Sequence, residues 1–496
     1  MFKRSLWILV LPLLVRAQSL KEFEKKITEF TLPNGLHFII CERHEAPVVS
    51  FHTYVDAGSV DDPKGQTGIA HMFEHMAFKG TSAIGSVDWP AEKKAIDEVE
   101  AIYDQLDAEQ NKGAKADQEK INTIRAELKA AMDRANALVQ PNAYTSLIES
   151  NGGVGMNAQT GLDATEYFYS LPSNRIELWF MLESQRFLDP VFREFYKERD
   201  VVMEEYRMRV ESSPQGKLLQ AFLATAFEAH PYRVMGTGWP SDIEHLRSED
   251  ASRFFKTYYV PSNITMAIVG DVNPADAKRM AEKYFGPLQK RPMPPLVHTV
   301  EPPQSGPKHA EVESRSQPLL IMGYKRPDQY DKDDPVFDVM SGILTEGRTS
   351  ILYRDMVRDK KLALQVETQG SFPDSRYANL FIFFLVPNLG HTVAENEKEV
   401  NQKIEEFKAS LPDPVALQRV KANVRAGLIR SLDSNSRLAA LLPAFYAAYG
   451  DWRKLFTSID DIDKVTAEDV QRVARKYLVV SSRTESETVP PKGASK

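Results

Sequence analysis

Between Gly286 and Pro307 the chain carries Pro287, Pro292, Pro294, Pro295, Pro302, Pro303 and Pro307. Proline fixes φ and donates no backbone hydrogen bond, so neither a helix nor a central strand runs through such a stretch. It reads as a stiff, extended connector that divides the 496-residue chain. The predicted units are a first half at 18–288, a linker at 289–307 and a second half at 308–482, with a disordered tail at 483–496. The two halves open alike. An apolar strand at 48–56 precedes a helical pattern at 66–79, and a strand-like run at 318–324 precedes a helix at 335–345. The expected fold class is therefore α+β, built from two homologous α/β-sandwich halves. Each would have an antiparallel-rich sheet covered by helices.

Residues 90–138 form a charged insertion in the first half. Ile96, Val99, Ile102 and Leu106 make one helical stripe, and Ile121, Ile124, Leu128 and Met132 make another, with Gly113 between them. That pattern predicts a helical hairpin zipped along its apolar seams. It reads as a peripheral decoration or, alternatively, as a partner-docking arm or an entrance gate.

The chemistry is concentrated at 68–81, Gly-Ile-Ala-His-Met-Phe-Glu-His-Met-Ala-Phe-Lys-Gly-Thr. His71 and His75, at i and i+4, share one helical face and can hold a single Zn²⁺. Glu74 projects on nearly the same face, where a carboxylate can take a proton from an attacking water. A solvated polar face is the other reading of such a helix. The neighbours Ile69, Ala70, Met72, Phe73, Met76, Ala77 and Phe78 weigh against it, because burying three titratable groups among them is costly without an ion. A third ligand is sought in Glu198-Arg-Asp-Val-Val-Met-Glu-Glu205. Glu198, Val201, Val202 and Glu205 fall on one helical stripe, which predicts an inward-facing helix; Glu204 reads as exposed. Alternatively, Glu198 and Glu205 are ordinary surface acids.

With these motifs in view, the chain resembles the pitrilysin/insulinase zinc metallopeptidases, with their inverted His-x-x-Glu-His, in the mitochondrial-processing-peptidase-like branch. Further blocks carry the likeness: Thr31 to Phe38, Val55 to Asp62, Asn157-Ala-Gln-Thr160 with Asp163, Thr165 and Tyr167, His230-Pro-Tyr232, Gly236, and Tyr259 through Asp271. The resemblance implies that the halves form a clamshell. It implies one Zn²⁺ per chain held by His71, His75 and Glu205, with Glu74 as general base and Glu198 supporting the site. It places Asn157 and Ala158 on an edge strand where an extended substrate backbone docks. It also implies an Arg and a Tyr from the second half that help bind substrate. Arg358 stands for the Arg, but Leu364 occupies the position of the Tyr. A homodimer tolerating that change, or a heterodimer with a related zinc-less chain, follows as the expected assembly. The activity implied is zinc-dependent endopeptidase action on peptides or unfolded segments. A non-catalytic assembly subunit is the competing class, and relatives of that kind typically lose the motif that is complete here. A metal-storing module would not need Glu74.

Composition bounds the remainder. The formal charge is −7, and removing residues 1–17 with Lys3, Arg4 and Arg16 leaves −10, which argues against nucleic-acid binding. The lone Cys41 excludes an internal disulfide and gives no support to a cysteine protease. Residues 1–17 read as a signal peptide: Lys3 and Arg4, an apolar run from Leu6 to Val15, and Val15-Arg16-Ala17 as cleavage site. The apolar run is about half of what a bilayer needs. Export, most simply to a bacterial periplasm with no stable membrane insertion, is the expected destination.

Overall fold

A computed structural model describes residues 20–491. The expected signal peptide at 1–17 lies outside the described residues. Two sheets organise the chain. The first contains β1 (Ile27–Thr31), β2 (His37–Glu42), β3 (Val48–Val55), β4 (Val154–Thr160), β5 (Thr165–Pro172) and β6 (Ile264–Gly270), in the order β1-β2-β6-β3-β5-β4. The second contains β7 (Lys308–Glu313), β8 (Leu320–Arg326), β9 (Ala363–Phe372), β10 (Asn379–Pro387) and β11 (Arg483–Val489), in the order β7-β11-β8-β10-β9. In the first sheet β2 and β6 run parallel, as do β7 and β11 in the second. Every other pairing is antiparallel. Leaving β1 aside, the two sheets share one strand order and one set of polarities. The chain is α+β and built from two homologous halves.

The topology corrects one expectation. The tail expected from residue 483 onward is instead strand β11, with Thr484 and Ser486 fully buried. Its residues are polar, so it carries no apolar run for a sequence reading to find. It is a strand because β7 and β8 take up its backbone groups from both sides, as neighbours of β6 do in the first half. Tyr258-Tyr-Val-Pro-Ser-Asn-Ile-Thr265 leads into β6, and Tyr477-Leu-Val-Val-Ser-Ser-Arg-Thr484 leads into β11. That internal repeat was the available signal.

The halves exchange helices. Helix Pro214–Ala226 of the first half lies on the second sheet, where Phe222 packs with Ile321, Leu380 and Ile382. Gly323 makes room for it: a Cβ there would lie 2.6 Å from the Phe222 ring. Conversely, helix Asn435–Tyr449 of the second half lies on the first sheet, where Leu438, Ala439 and Leu442 pack with Ile39, Cys41, Ala267 and Val269. Residues 289–307 connect the halves without helix or strand.

The insertion consists of helices Trp89–Gln110 and Gln118–Asn136, each started by an aspartate, Asp88 and Asp117, that accepts from first-turn amides. Val99, Leu106, Ile121, Ile124 and Leu128 are buried between them, while Ile96, Ile102 and Met132 are half-buried. Ser86 and Val139 bridge its neck. The hairpin also rests on helix Phe195–Tyr206, with Tyr103 stacked on Tyr196 at 4.2 Å and the Tyr196 hydroxyl donating to Glu100 at 2.8 Å. Among the described residues no helix is long and apolar enough to cross a membrane.

The turns that end β4 and β9 meet at the seam. The Asp163 amide donates to Asp374 at 3.2 Å, the Arg376 amide donates to Asp163 at 2.9 Å, and the Arg376 guanidinium pairs with Asp56. Burial, and then the neighbouring Asp163 carboxylate, push the Asp374 carboxyl up from its ordinary value. A carboxyl raised in the folded state holds a proton that the unfolded chain has released, so stability falls as pH rises above the ordinary carboxylate range. Asp374→Asn is expected to be more stable than the wild type at pH 8, by a margin that narrows toward pH 5. Urea midpoints at the two pH values check this; an equal midpoint at pH 8 would reject it.

Candidate active site

Helix Ile69–Met76 begins at Gly68, whose φ of 90° and crowding against the Thr237 carbonyl both require glycine. Asp62 accepts from the Gly68 and Ala70 amides at 2.6 and 3.0 Å and so fixes the start of the helix. Ile69, Ala70, Met72, Phe73 and Met76 are buried. This apolar anchoring turns His71, Glu74 and His75 together into a cavity of about 830 Å³.

Helix Phe195–Tyr206 brings Glu205 to the same place. Glu205 Oε2 lies 3.5 Å from His71 Nε2 and 3.4 Å from His75 Nε2. Ligands held tetrahedrally at zinc distances of about 2.0–2.2 Å are separated by about 3.4 Å, so the three atoms fit the ion. The electrostatics agree with the spacing. Burial lowers the His71 imidazole to about 4, leaving it neutral and able to ligate. The His75 hydrogen bond, outweighing burial, lowers Glu205 to about 2. For His75, burial works downward but the hydrogen bonds it donates to Glu198 and Glu205 raise it to about 9.

Glu198 lies behind His75. Its Oε2 is 3.5 Å from His75 Nδ1, and its Oε1 is 2.5 Å from Lys79 Nζ, which also reaches Glu194 at 2.9 Å. Burial would raise Glu198, but the His75 and Lys79 hydrogen bonds prevail and lower it to about 2. Val202 is buried as the stripe predicts, and Glu204 is exposed, yet Val201 is 45% exposed. The face turned to the motif helix is narrow, and an i+3 position falls at its margin.

Glu74 faces the cavity from one turn along. Its Oε2 accepts from Thr160 Oγ1 at 2.6 Å, leaving Oε1 free, and burial raises its carboxyl above the ordinary range. Thr160 ends β4, the edge strand of its sheet, and Asn157 and Ala158 of the same strand line the cavity. Gln140, Pro141 and Asn142, at the neck of the insertion, also line the cavity. Arg358 is not brought here. It is exposed in the turn Tyr353–Asp359, bonded to Asp359 at 2.6 and 2.9 Å, and does not line the cavity. Leu364 is 55% exposed on β9, the edge of the second sheet. Sequence reasoning missed the roles of Lys79 and Arg209 in this network. Each stands four residues after a candidate ligand, His75 and Glu205, and that spacing was their signal.

The profile described as insulinase (peptidase family M16) matches residues 38–111, and the profile described as peptidase M16 inactive domain matches 245–424. The chain belongs to peptidase family M16. Of the M16 relatives, the zinc protease PqqE of Helicobacter pylori is 28% identical over 492 residues, covering 98% of this chain and 96% of its own. A probable mitochondrial-processing peptidase subunit beta of Schizosaccharomyces pombe is 23% identical, covering 94% and 92%. A crystal structure of a protease from Helicobacter pylori superposes with a TM-score of 0.78 at 26% identity, covering 94% of this chain and all of that one. The periplasmic protease PqqL from Escherichia coli shares the fold, with a TM-score of 0.66 at 15% identity over 94% of this chain and 48% of that one. The inactive-domain match contains none of His71, Glu74, His75 and Glu205.

Proposed function

We propose that the chain is a zinc-dependent endopeptidase acting on extended peptides or unfolded segments. The observation that carries this reading is the meeting of a free Glu74 oxygen with His71, His75 and Glu205 beside the open edge of β4. His71 Nε2, His75 Nε2 and Glu205 Oε2 would hold one Zn²⁺. When bound, zinc supplies a Lewis acid for the scissile carbonyl and for the attacking water. Glu74 takes the water's proton on its free oxygen and returns it to the departing amine. Thr160 holds the other oxygen and so aims the carboxylate. Asn157 and Ala158 bind the substrate backbone as an added strand, which selects extended chains. Glu198 and Lys79 orient His75.

The test is hydrolysis of quenched-fluorescent peptides by the purified protein. Cleavage is expected to vanish on chelation and to return with one equivalent of zinc. Zinc bound at one per chain without cleavage of any peptide would favour a second reading, in which a related zinc-less chain completes the site. That reading draws on Arg358 and Leu364 lying away from the cavity. Activity of the isolated chain matching that of any reconstituted pair would reject it. The signal peptide reading and the fold shared with a periplasmic protease support export to the periplasm.

Metal affinity carries a pH signature. A proton on His75, held up to about 9 by Glu198 and Glu205, competes with the cation. The apparent zinc dissociation constant is therefore expected to fall by about tenfold per pH unit between about pH 6 and 8. Chelator competition at several pH values measures it, and a flat profile would show that Glu198 and Glu205 do not hold a proton on His75 in this range.

A further inference from the structure

We infer that Arg209 is a positioning residue that sets which oxygen of Glu205 faces the two imidazoles; the inference rests on the metal site proposed above. Arg209 Nη2 lies 2.5 Å from Glu205 Oε1, while Glu205 Oε2 is the oxygen between His71 and His75. The carboxylate is thus divided, one oxygen to the guanidinium and one to the metal side. Carboxylate rotation about its last bond is otherwise nearly free, so an unheld Glu205 would spread over several orientations. The histidines need no such help. His71 is fixed by burial, and His75 has Glu198 behind it. Among the described residues Arg209 is the one partner of Glu205 other than the histidines.

The backbone is built for this placement. The helix Phe195–Tyr206 continues into a π-turn, Arg207–Glu211, in which the Ser212 amide reaches back to the Arg207 carbonyl at 2.7 Å. Such widened turns occur often at functional sites. The turn raises Arg209 over Glu205 and leaves its carbonyl directed at the following helix. That helix can cross only because residue 216 is glycine: a Cβ there would lie 2.0 Å from the Arg209 carbonyl oxygen. The pair itself adds little stability, since the Arg209 side chain is 63% exposed and faces solvent in the cavity. Direct repulsion between guanidinium and a divalent cation opposes the orienting effect. It is the smaller of the two, because Glu205 neutralises the guanidinium and solvent screens it.

The experiment measures zinc affinity by chelator competition for the wild type, Arg209→Met, Arg209→Lys and Gly216→Ala, beside thermal melts. Arg209→Met is expected to bind zinc about 10–100-fold more weakly with an unchanged melt. Arg209→Lys should recover part of the loss, since an ammonium reaches the carboxylate without the planar fork. Gly216→Ala, which keeps the guanidinium but displaces the π-turn, should weaken zinc binding too. Equal or tighter binding by Arg209→Met, with zinc present on the wild type, overturns the inference alone. No zinc on the wild type overturns the metal site and the inference with it.

Discussion

Glu74→Gln is expected to lower kcat for peptide hydrolysis by about 10²–10⁴-fold while zinc content stays at the wild-type level and KM changes little. The substitution is nearly isosteric. The amide oxygen can still accept from Thr160 Oγ1, so the side chain keeps its place. What is lost is the ability to take a proton. Glu74 is not among the three atoms that fit zinc, so that set is untouched. The outcome separates two roles that a His71→Ala or His75→Ala change would confuse, since those remove the metal and the chemistry together. A Glu74→Gln protein that binds zinc and retains more than a tenth of wild-type activity would exclude Glu74 as the base. Loss of zinc from the variant would show instead that Glu74 helps to hold the ion.

Arg193→Met is expected to cost about 3–5 kcal/mol of stability, read as a lower urea midpoint. Arg193 is 1% exposed and its partner Glu92 is fully buried. The guanidinium donates to Glu92 at 2.7 Å, to the Thr81 carbonyl at 2.7 Å, to the Ile84 carbonyl at 3.0 Å and to the Lys79 carbonyl. It therefore ties the first helix of the insertion to the loop that follows the motif helix. Gly80 and Gly85 have φ of 85° and 96°, and a Cβ on either would press on that guanidinium. Removing Arg193 strands a buried carboxylate and three carbonyls, whereas Arg193→Met combined with Glu92→Met removes both charges and should recover much of the loss. Arg193→Lys should fare little better than Met, because a single ammonium cannot satisfy the planar set of acceptors. A midpoint within 1 kcal/mol of wild type would reject the brace. The geometry also bears on the insertion, which sequence alone leaves open between decoration, docking arm and gate. Its first helix is fastened to the motif loop, and its neck walls the cavity.

Legibility in the sequence followed the range of the interaction. His71, Glu74 and His75 could be read because helical spacing fixes their common face over a single turn. Glu205 was proposed from an apolar stripe and from family likeness. That stripe was only partly right: Val202 is buried and Val201 is not. Strand β11 was unreadable by hydrophobicity, because its burial comes from neighbours that are distant in sequence. Arg358 stands for the family Arg by resemblance alone, and its guanidinium is spent on the adjacent Asp359.

The sequence by itself determined the shared face of His71, Glu74 and His75 and the division into two α+β units, while family resemblance implied the edge-strand place of Asn157 and Ala158. These rest on local periodicity, on proline's missing N–H and on recurrent motifs. Only the tertiary structure decided that Glu205 meets histidines 130 and 134 positions away, that each half lends a helix to the other's sheet, and that Arg193 and Arg209 hold the frame around the site. Such meetings depend on how whole elements pack. A charged residue alone in a sequence does not reveal which buried partner it will find.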